Sequence, residues 1–79
     1  MIEKFIEENI EKKINNFTSF MEIRKRYLAF CKFYEIEPVS KRKLSHELGK
    51  YKVGVRGTKT IDYSPITGRH NIGLLPCKY

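Results

Sequence analysis

Three helices followed by a β-hairpin, an α+β fold, is the architecture this sequence predicts. Apolar residues recur every three or four positions as far as Leu48 and alternate with polar ones from Tyr51 onward. Asn15-Asn16 and Pro38 punctuate the helical part, and turn-forming residues fill the span from Gly57 to Gly68. Seventy-nine residues make one domain, 1–79. A chain this short buries only about 60% of the surface its unfolded state exposes, so its core must be small. Hydrophobic residues at 41% and aromatics at 13% suffice for such a core and exclude a disordered chain.

The first helix is expected over about 2–14, where Ile2, Phe5, Ile6, Ile10 and Ile14 share one face and Asn15-Asn16 ends the pattern. The second covers about 19–36. Ser19 and Glu22 have the spacing of a capping box (Thr18 is an equally good cap), and Phe20, Ile23, Tyr27, Phe30, Cys31 and Tyr34 form its inward stripe. Pro38 forces Glu37 out of the helical region, so this helix ends by about residue 36. The third spans about 41–49, capped by Ser40, with Leu44 and Leu48 inward.

From residue 51 the alternation predicts a strand over about 51–56, with Tyr51, Val53 and Val55 inward and Lys52 and Arg56 outward. A second strand covers about 69–75, with Ile72 and Leu74 inward. The Gly57–Gly68 span between them is expected as a long exposed tip, of which Thr58 to Tyr63 can extend one arm. Three helices and a hairpin wing are the plan of a winged helix.

Charge is distributed unevenly. Residues 1–39 hold seven basic and seven acidic side chains, whereas residues 40–79 hold nine basic ones against Glu47 and Asp62, so the whole net charge of +7 lies in the second half. A polyanion partner for that half is the inference; a merely solubilising surface is the alternative. Cys31 and Cys77 form no CxxC pair, and Cys31 falls on a helix's apolar face. No disulfide, metal site or cofactor is expected. The amino terminus alternates charge, so no secretory signal is expected, and no stretch is apolar enough for a membrane span. Reduced thiols in a cytoplasmic setting follow, with no membrane partner.

Enzyme signals are absent: there is no phosphate-cradling glycine loop, no nucleophile elbow and no paired carboxylates. His46 adjoins Ser45, but neighbouring helix residues point apart and make no nucleophile–base pair. Both His46 and His70 are expected as surface polar residues. The isolated chain is therefore expected to have no catalytic activity. The remaining signal is a constellation. The third helix presents Lys41, Arg42, Lys43, Ser45 and His46, with Lys50 at its exit, a set suited to a DNA groove and to base edges. The hairpin adds Lys52, Arg56, Lys59 and Arg69 outward, with Thr58, Thr60, Ser64 and Thr67 able to donate to phosphates. Tyr51 fits the inward register. Tyr63, near the tip, is balanced between stacking on an unpaired base and packing.

Across nearly its whole length the chain also resembles a known family. The resemblance is carried by Phe5-Ile6-Glu7-Glu8, Tyr27-Leu28-Ala29-Phe30-Cys31, Pro38-Val39-Ser40-Lys41, Leu44 with Glu47-Leu48-Gly49, and Arg69 before Ile72-Gly73-Leu74. These resemble the carboxy-terminal winged-helix domain of poxvirus-type and phage- or plasmid-type primase–helicases, the superfamily-3 replication proteins of mobile elements. Where that family commonly has Trp, this chain has Phe30. The resemblance implies three helices and a wing that grips DNA beside a replicative helicase motor, in a bacterial host or virus-infected cell. The ATPase and primase portions have no counterpart here. Duplex DNA is favoured over single strands, a helicase core is a second candidate partner, and a protein-interaction module or small phage-type regulator is the alternative function.

Overall fold

The computed structural model describes residues 2–79. In chain order the elements are α1 (Ile2–Asn9), β1 (Ile10–Ser19), α2 (Phe20–Phe33), α3 (Lys41–Lys50), β2 (Val55–Ile61) and β3 (Ser64–Leu74). The strands form one antiparallel sheet in the order β1-β3-β2. The fold is α+β with three helices, as expected, but its sheet has a third strand taken from the segment expected to finish the first helix.

That helix stops at Asn9 and not at residue 14. Asn9 is fully buried, and its side-chain amide donates to the Phe5 carbonyl (2.9 Å) and to the Tyr79 hydroxyl (2.9 Å). A side chain bonded back to its own helix competes with helix propagation, and the following residues find partners on β3 instead. Ile10, Glu11 and Lys12 pair with Leu74, Gly73 and Ile72, and Phe17, Thr18 and Ser19 pair with His70, Arg69 and Gly68. Between these runs Lys13–Asn16 bulge out opposite Asn71, with Asn15 and Asn71 both at positive φ and Asn15 N–H bonded to the Asn71 side chain. The bulge leaves Ile14 82% exposed, not on an apolar face.

α2 begins as its capping box requires. Ser19 Oγ accepts from Glu22 N–H (3.2 Å), and the Glu22 carboxylate accepts from Ser19 N–H (3.0 Å). It ends at Phe33, earlier than residue 36, in a Schellman motif: Glu35 turns left-handed and Ile36 N–H reaches back to the Cys31 carbonyl (2.8 Å). α3, capped by Ser40, ends the same way. Lys52 turns left-handed and Val53 N–H bonds the Leu48 carbonyl (3.0 Å). This second cap overturns the strand expected over 51–56. Tyr51 is the helix cap, exposed, with its hydroxyl bonded to Glu3. Val53 is buried as expected, but the strand starts only at Val55, which is 60% exposed.

The expected tip over 57–68 is itself ladder. β2 and β3 pair from Val55↔His70 to Ile61↔Ser64, closed by the two-residue turn Asp62-Tyr63, so the second strand starts at Ser64 and not at 69. Both turn residues have positive φ, as the twist of a tight hairpin demands. Ile72 is buried as expected; Leu74 is only half-buried.

The core joins Phe5 of α1, Ile23, Tyr27, Phe30 and Cys31 of α2, Leu44 and Leu48 of α3, Val53 and Ile72. Phe5 stands edge-on to Tyr27 (5.3 Å between centroids) and to Phe30 (5.5 Å), the arrangement ring quadrupoles favour. After β3 the chain returns along α1 and α2. Leu75 N–H bonds the Asn9 carbonyl (2.8 Å), Arg26 donates to the Leu75 carbonyl (2.6 Å), and the Tyr79 ring packs on Phe30 and Phe33. The Glu8 carboxylate then accepts from both Tyr79 (2.8 Å) and Tyr34 (2.9 Å). Among the described residues, no helix is long and apolar enough to cross a membrane.

Two expectations follow. Asn9→Ala strips partners from the α1 end and the returning tail, and should cost about 1–3 kcal/mol; the melting temperature should fall by about 4–8 °C per kcal/mol, read by circular dichroism. Hydrogen bonds from Tyr79 and then Tyr34 hold the Glu8 pKa below its ordinary value. Its contribution to stability is therefore complete above the ordinary glutamate range and lost as pH falls through the lower folded value. Urea midpoints measured against pH should show that acid limb, and Glu8→Gln should flatten part of it.

Candidate functional site

The basic residues of α3 and of the hairpin meet across one open groove of about 1000 Å³. α3 turns its Leu44 and Leu48 stripe to the core, which leaves Arg42, Ser45, His46 and Gly49, spaced by three and four, along the groove. Lys43 and Lys50 flank that row, and Ser40 opens it.

The sheet supplies the other wall. Arg56 of β2 lies directly opposite Arg69 of β3, and directly paired residues of an antiparallel ladder share a face. The next same-face pairs are Thr58↔Thr67 and Thr60↔Pro65. A track of two guanidiniums followed by hydroxyls thus runs from α3 along the hairpin. Arg42, Lys43, Lys50, Arg56 and Arg69 give this groove five cations, with no carboxylate among its described lining residues.

Arg69 is not the outward side chain its alternation implies. It is 6% exposed, and its Nε–H is bonded to the Val53 carbonyl. Asn71, at positive φ opposite the β1 bulge, breaks the inward–outward alternation of β3 between Ile72 and Arg69, and Arg69 lines the groove with α3. Burial first, and the Arg56 guanidinium second, lower its pKa below that of an ordinary arginine. Arg69 therefore both fastens β3 to the segment after α3 and presents charge to the groove.

Seven of the eleven sequence candidates meet here: Arg42, Lys43, Ser45, His46, Lys50, Arg56 and Arg69. Four do not. Lys41 lines a separate, largely apolar cleft between α2 and β3, beside Met21, Leu28, Pro65 and Ile66. Lys52 is the exposed left-handed residue of the α3 cap. Lys59 lies on the other face of the hairpin, with its ammonium 6.0 Å from the Phe17 ring centroid. Tyr63 sits at the hairpin turn, 101% exposed, which removes packing as its role.

Ser40 and Gly49 were missing from the sequence candidates. Gly49 has open space where a Cβ would stand, so the groove floor there is bare helix backbone. Its spacing from Arg42 and His46 on the helical wheel was the available signal.

His70 is half-buried, with its ring 5.0 Å from that of Phe17. Cys31 is buried and Cys77 exposed, both free thiols. Among the described residues, no group of three His, Cys, Asp or Glu side chains is placed to hold a metal ion. No family model, curated protein or solved structure matches this chain.

The two hairpin arginines should separate by stability. Arg69→Ala removes a charged donor from the Val53 carbonyl and should cost about 1.5–3 kcal/mol. Arg56→Ala, at an exposed position facing a like charge, should stay within about 0.5 kcal/mol of wild type. Urea denaturation of the two variants checks the contrast.

Proposed function

We propose that this chain is a non-catalytic DNA-binding domain of the winged-helix type, with α3 as the groove-entering helix and the β2–β3 hairpin as its wing. One observation carries the reading. The fold gathers five cations around an open groove and sets two of them, Arg56 and Arg69, directly opposite each other. Like charges across a ladder are destabilising. A polyanion laid in the groove turns that repulsion into attraction, and hydroxyls at Thr58, Thr60 and Thr67 continue the same face with donors for phosphate oxygens.

Dimensions agree with a duplex. Ten residues of α3 span about 15 Å at about 1.5 Å per residue, and a B-DNA major groove about 12 Å wide admits a helix. Arg42 and Ser45 lie in the first half of α3, the part of such a helix that reaches base edges, and His46 follows at its middle. The element order, with the strand between the first two helices placed beside the hairpin, supports the winged-helix assignment. The narrower role, gripping DNA beside a primase–helicase motor in a cytoplasmic setting, rests on the short motifs that resemble that family.

A second reading has an observation of its own. Met21 is 81% and Leu28 42% exposed beside the α2–β3 cleft, which borders the hairpin at Pro65 and Thr67. Such a face suits a protein contact, with a helicase core or another partner, and binding there, with Arg24, Lys25 and Lys41 on the rim, would depend on salt less steeply than a polyanion contact does.

Fluorescence anisotropy against labelled duplex at several salt concentrations tests the first reading. Contacts to about four to six phosphates predict a log–log salt slope of about −4 to −5. Arg42→Ala and Lys43→Ala should each weaken binding by about fivefold or more and reduce that slope by about 1. Unchanged affinity in both variants would remove α3 from the interface.

A further inference from the structure

The sheet is three-stranded only at its base. The last pair between β1 and β3 is Ser19↔Gly68, yet β2 and β3 continue for four more pairs, Thr58↔Thr67 to Ile61↔Ser64. Beyond Gly68 the hairpin is thus a two-stranded ribbon without β1, about 13 Å long at about 3.3 Å per residue, whose Pro65–Thr67 stretch borders α2 and whose end at Asp62-Tyr63 stands clear. Its residues are exposed apart from half-buried Ile66.

The end of this ribbon is chemically odd. A two-residue hairpin turn with positive φ at both positions is the natural place for Asn-Gly or Asp-Gly. Here the second position is Tyr63, at φ 64, held left-handed against the preference of any residue with a Cβ. Its ring gains nothing inside the fold in return, because it is fully exposed. A bulky aromatic kept in a strained turn and packed on nothing is arranged for a contact outside the molecule.

We propose that Tyr63 is a base-stacking tip, and that the DNA taken by this surface carries an open base face, as at a fork or a duplex end. The inference rests on the DNA-binding reading above. The same ribbon face carries Arg56, Arg69, Thr58 and Thr60, so a duplex backbone held along that track is led toward the turn. Within an intact duplex every base face is covered by its neighbour, and an aromatic tip finds nothing to stack on. Where the strands part, the terminal base presents a bare π-face, which an aromatic side chain covers regardless of sequence.

The test compares a duplex closed at both ends by non-nucleotide linkers, which leaves no open base face, with a forked one of the same paired sequence, by anisotropy at low salt. 2-Aminopurine at the junction reports stacking directly. Wild type should prefer the fork and change the junction fluorescence. Tyr63→Gly restores the residue the turn prefers, so its melting temperature should rise while its fork affinity falls about 5- to 150-fold, the equivalent of one base stack of about 1–3 kcal/mol. Its affinity for the end-closed duplex should stay within about twofold, and Tyr63→Phe should keep the fork preference. Equal loss on both substrates, or no loss on the fork, overturns the stacking tip and leaves the duplex-binding groove standing. No binding of wild type to either substrate overturns both readings.

Discussion

The architecture depends on Asn9. It is the point where the chain stops being a helix and becomes a strand, and it is wholly buried with its amide committed to Phe5 and Tyr79. Its backbone carbonyl also receives Leu75. One residue thereby ends α1, starts β1 and receives the returning tail. A buried amide is tolerated only when its hydrogen bonds are made, so these segments must arrive together. Without the switch at Asn9, the helical spacing of Ile10 and Ile14 would carry α1 on to about residue 14, and β3 would lose the neighbour that anchors the base of the hairpin.

The electrostatic design follows from that base. β1 covers one edge of β3, and the break in alternation at Asn71 leaves Arg69 on the α3 side, where Val53 holds it. Val53 is in turn placed by the Schellman motif that closes α3. The groove is therefore not a set of long surface side chains that happen to be basic. At least one wall cation is fixed by backbone on two sides, and preorganised charge binds a polyanion at a lower entropic cost than flexible lysines do.

Much of this was legible in the sequence, because it lies in local signals. Ser19 with Glu22, Ser40 before α3, and the Leu44/Leu48 stripe each specify their element within one or two turns of chain, and they held. The fold also brings most of the cations of α3 and the hairpin to one groove. The illegible parts are those decided by distant partners or by residues used against type. Ile10 and Ile14 continue a helical spacing by coincidence; only pairing with β3 makes their segment a strand. Lys52 and Tyr63 occupy left-handed positions where Gly is the usual signal, so in sequence the α3 cap resembles a strand and the tight turn a long loop. Arg69 lines the groove but is buried, because the break in alternation at Asn71 is one no count of residues reveals.

Where the two-stranded ribbon leaves the sheet, Gly57 faces Gly68 across the ladder. Neither can carry a side chain: a Cβ on Gly57 would collide with the His70 ring, and one on Gly68 with Phe17 and the β1 backbone. The ribbon is thus hung on a rung with no side chains of its own, with the mutually tilted Phe17 and His70 rings lying over it. Mechanically that rung is a fulcrum and the ribbon a lever arm. A rotation there of about ten degrees carries the tip through about 2 Å, given an arm of about four residues at about 3.3 Å each. What Phe17 and His70 control by their fit against two glycines is therefore the aim of the tip.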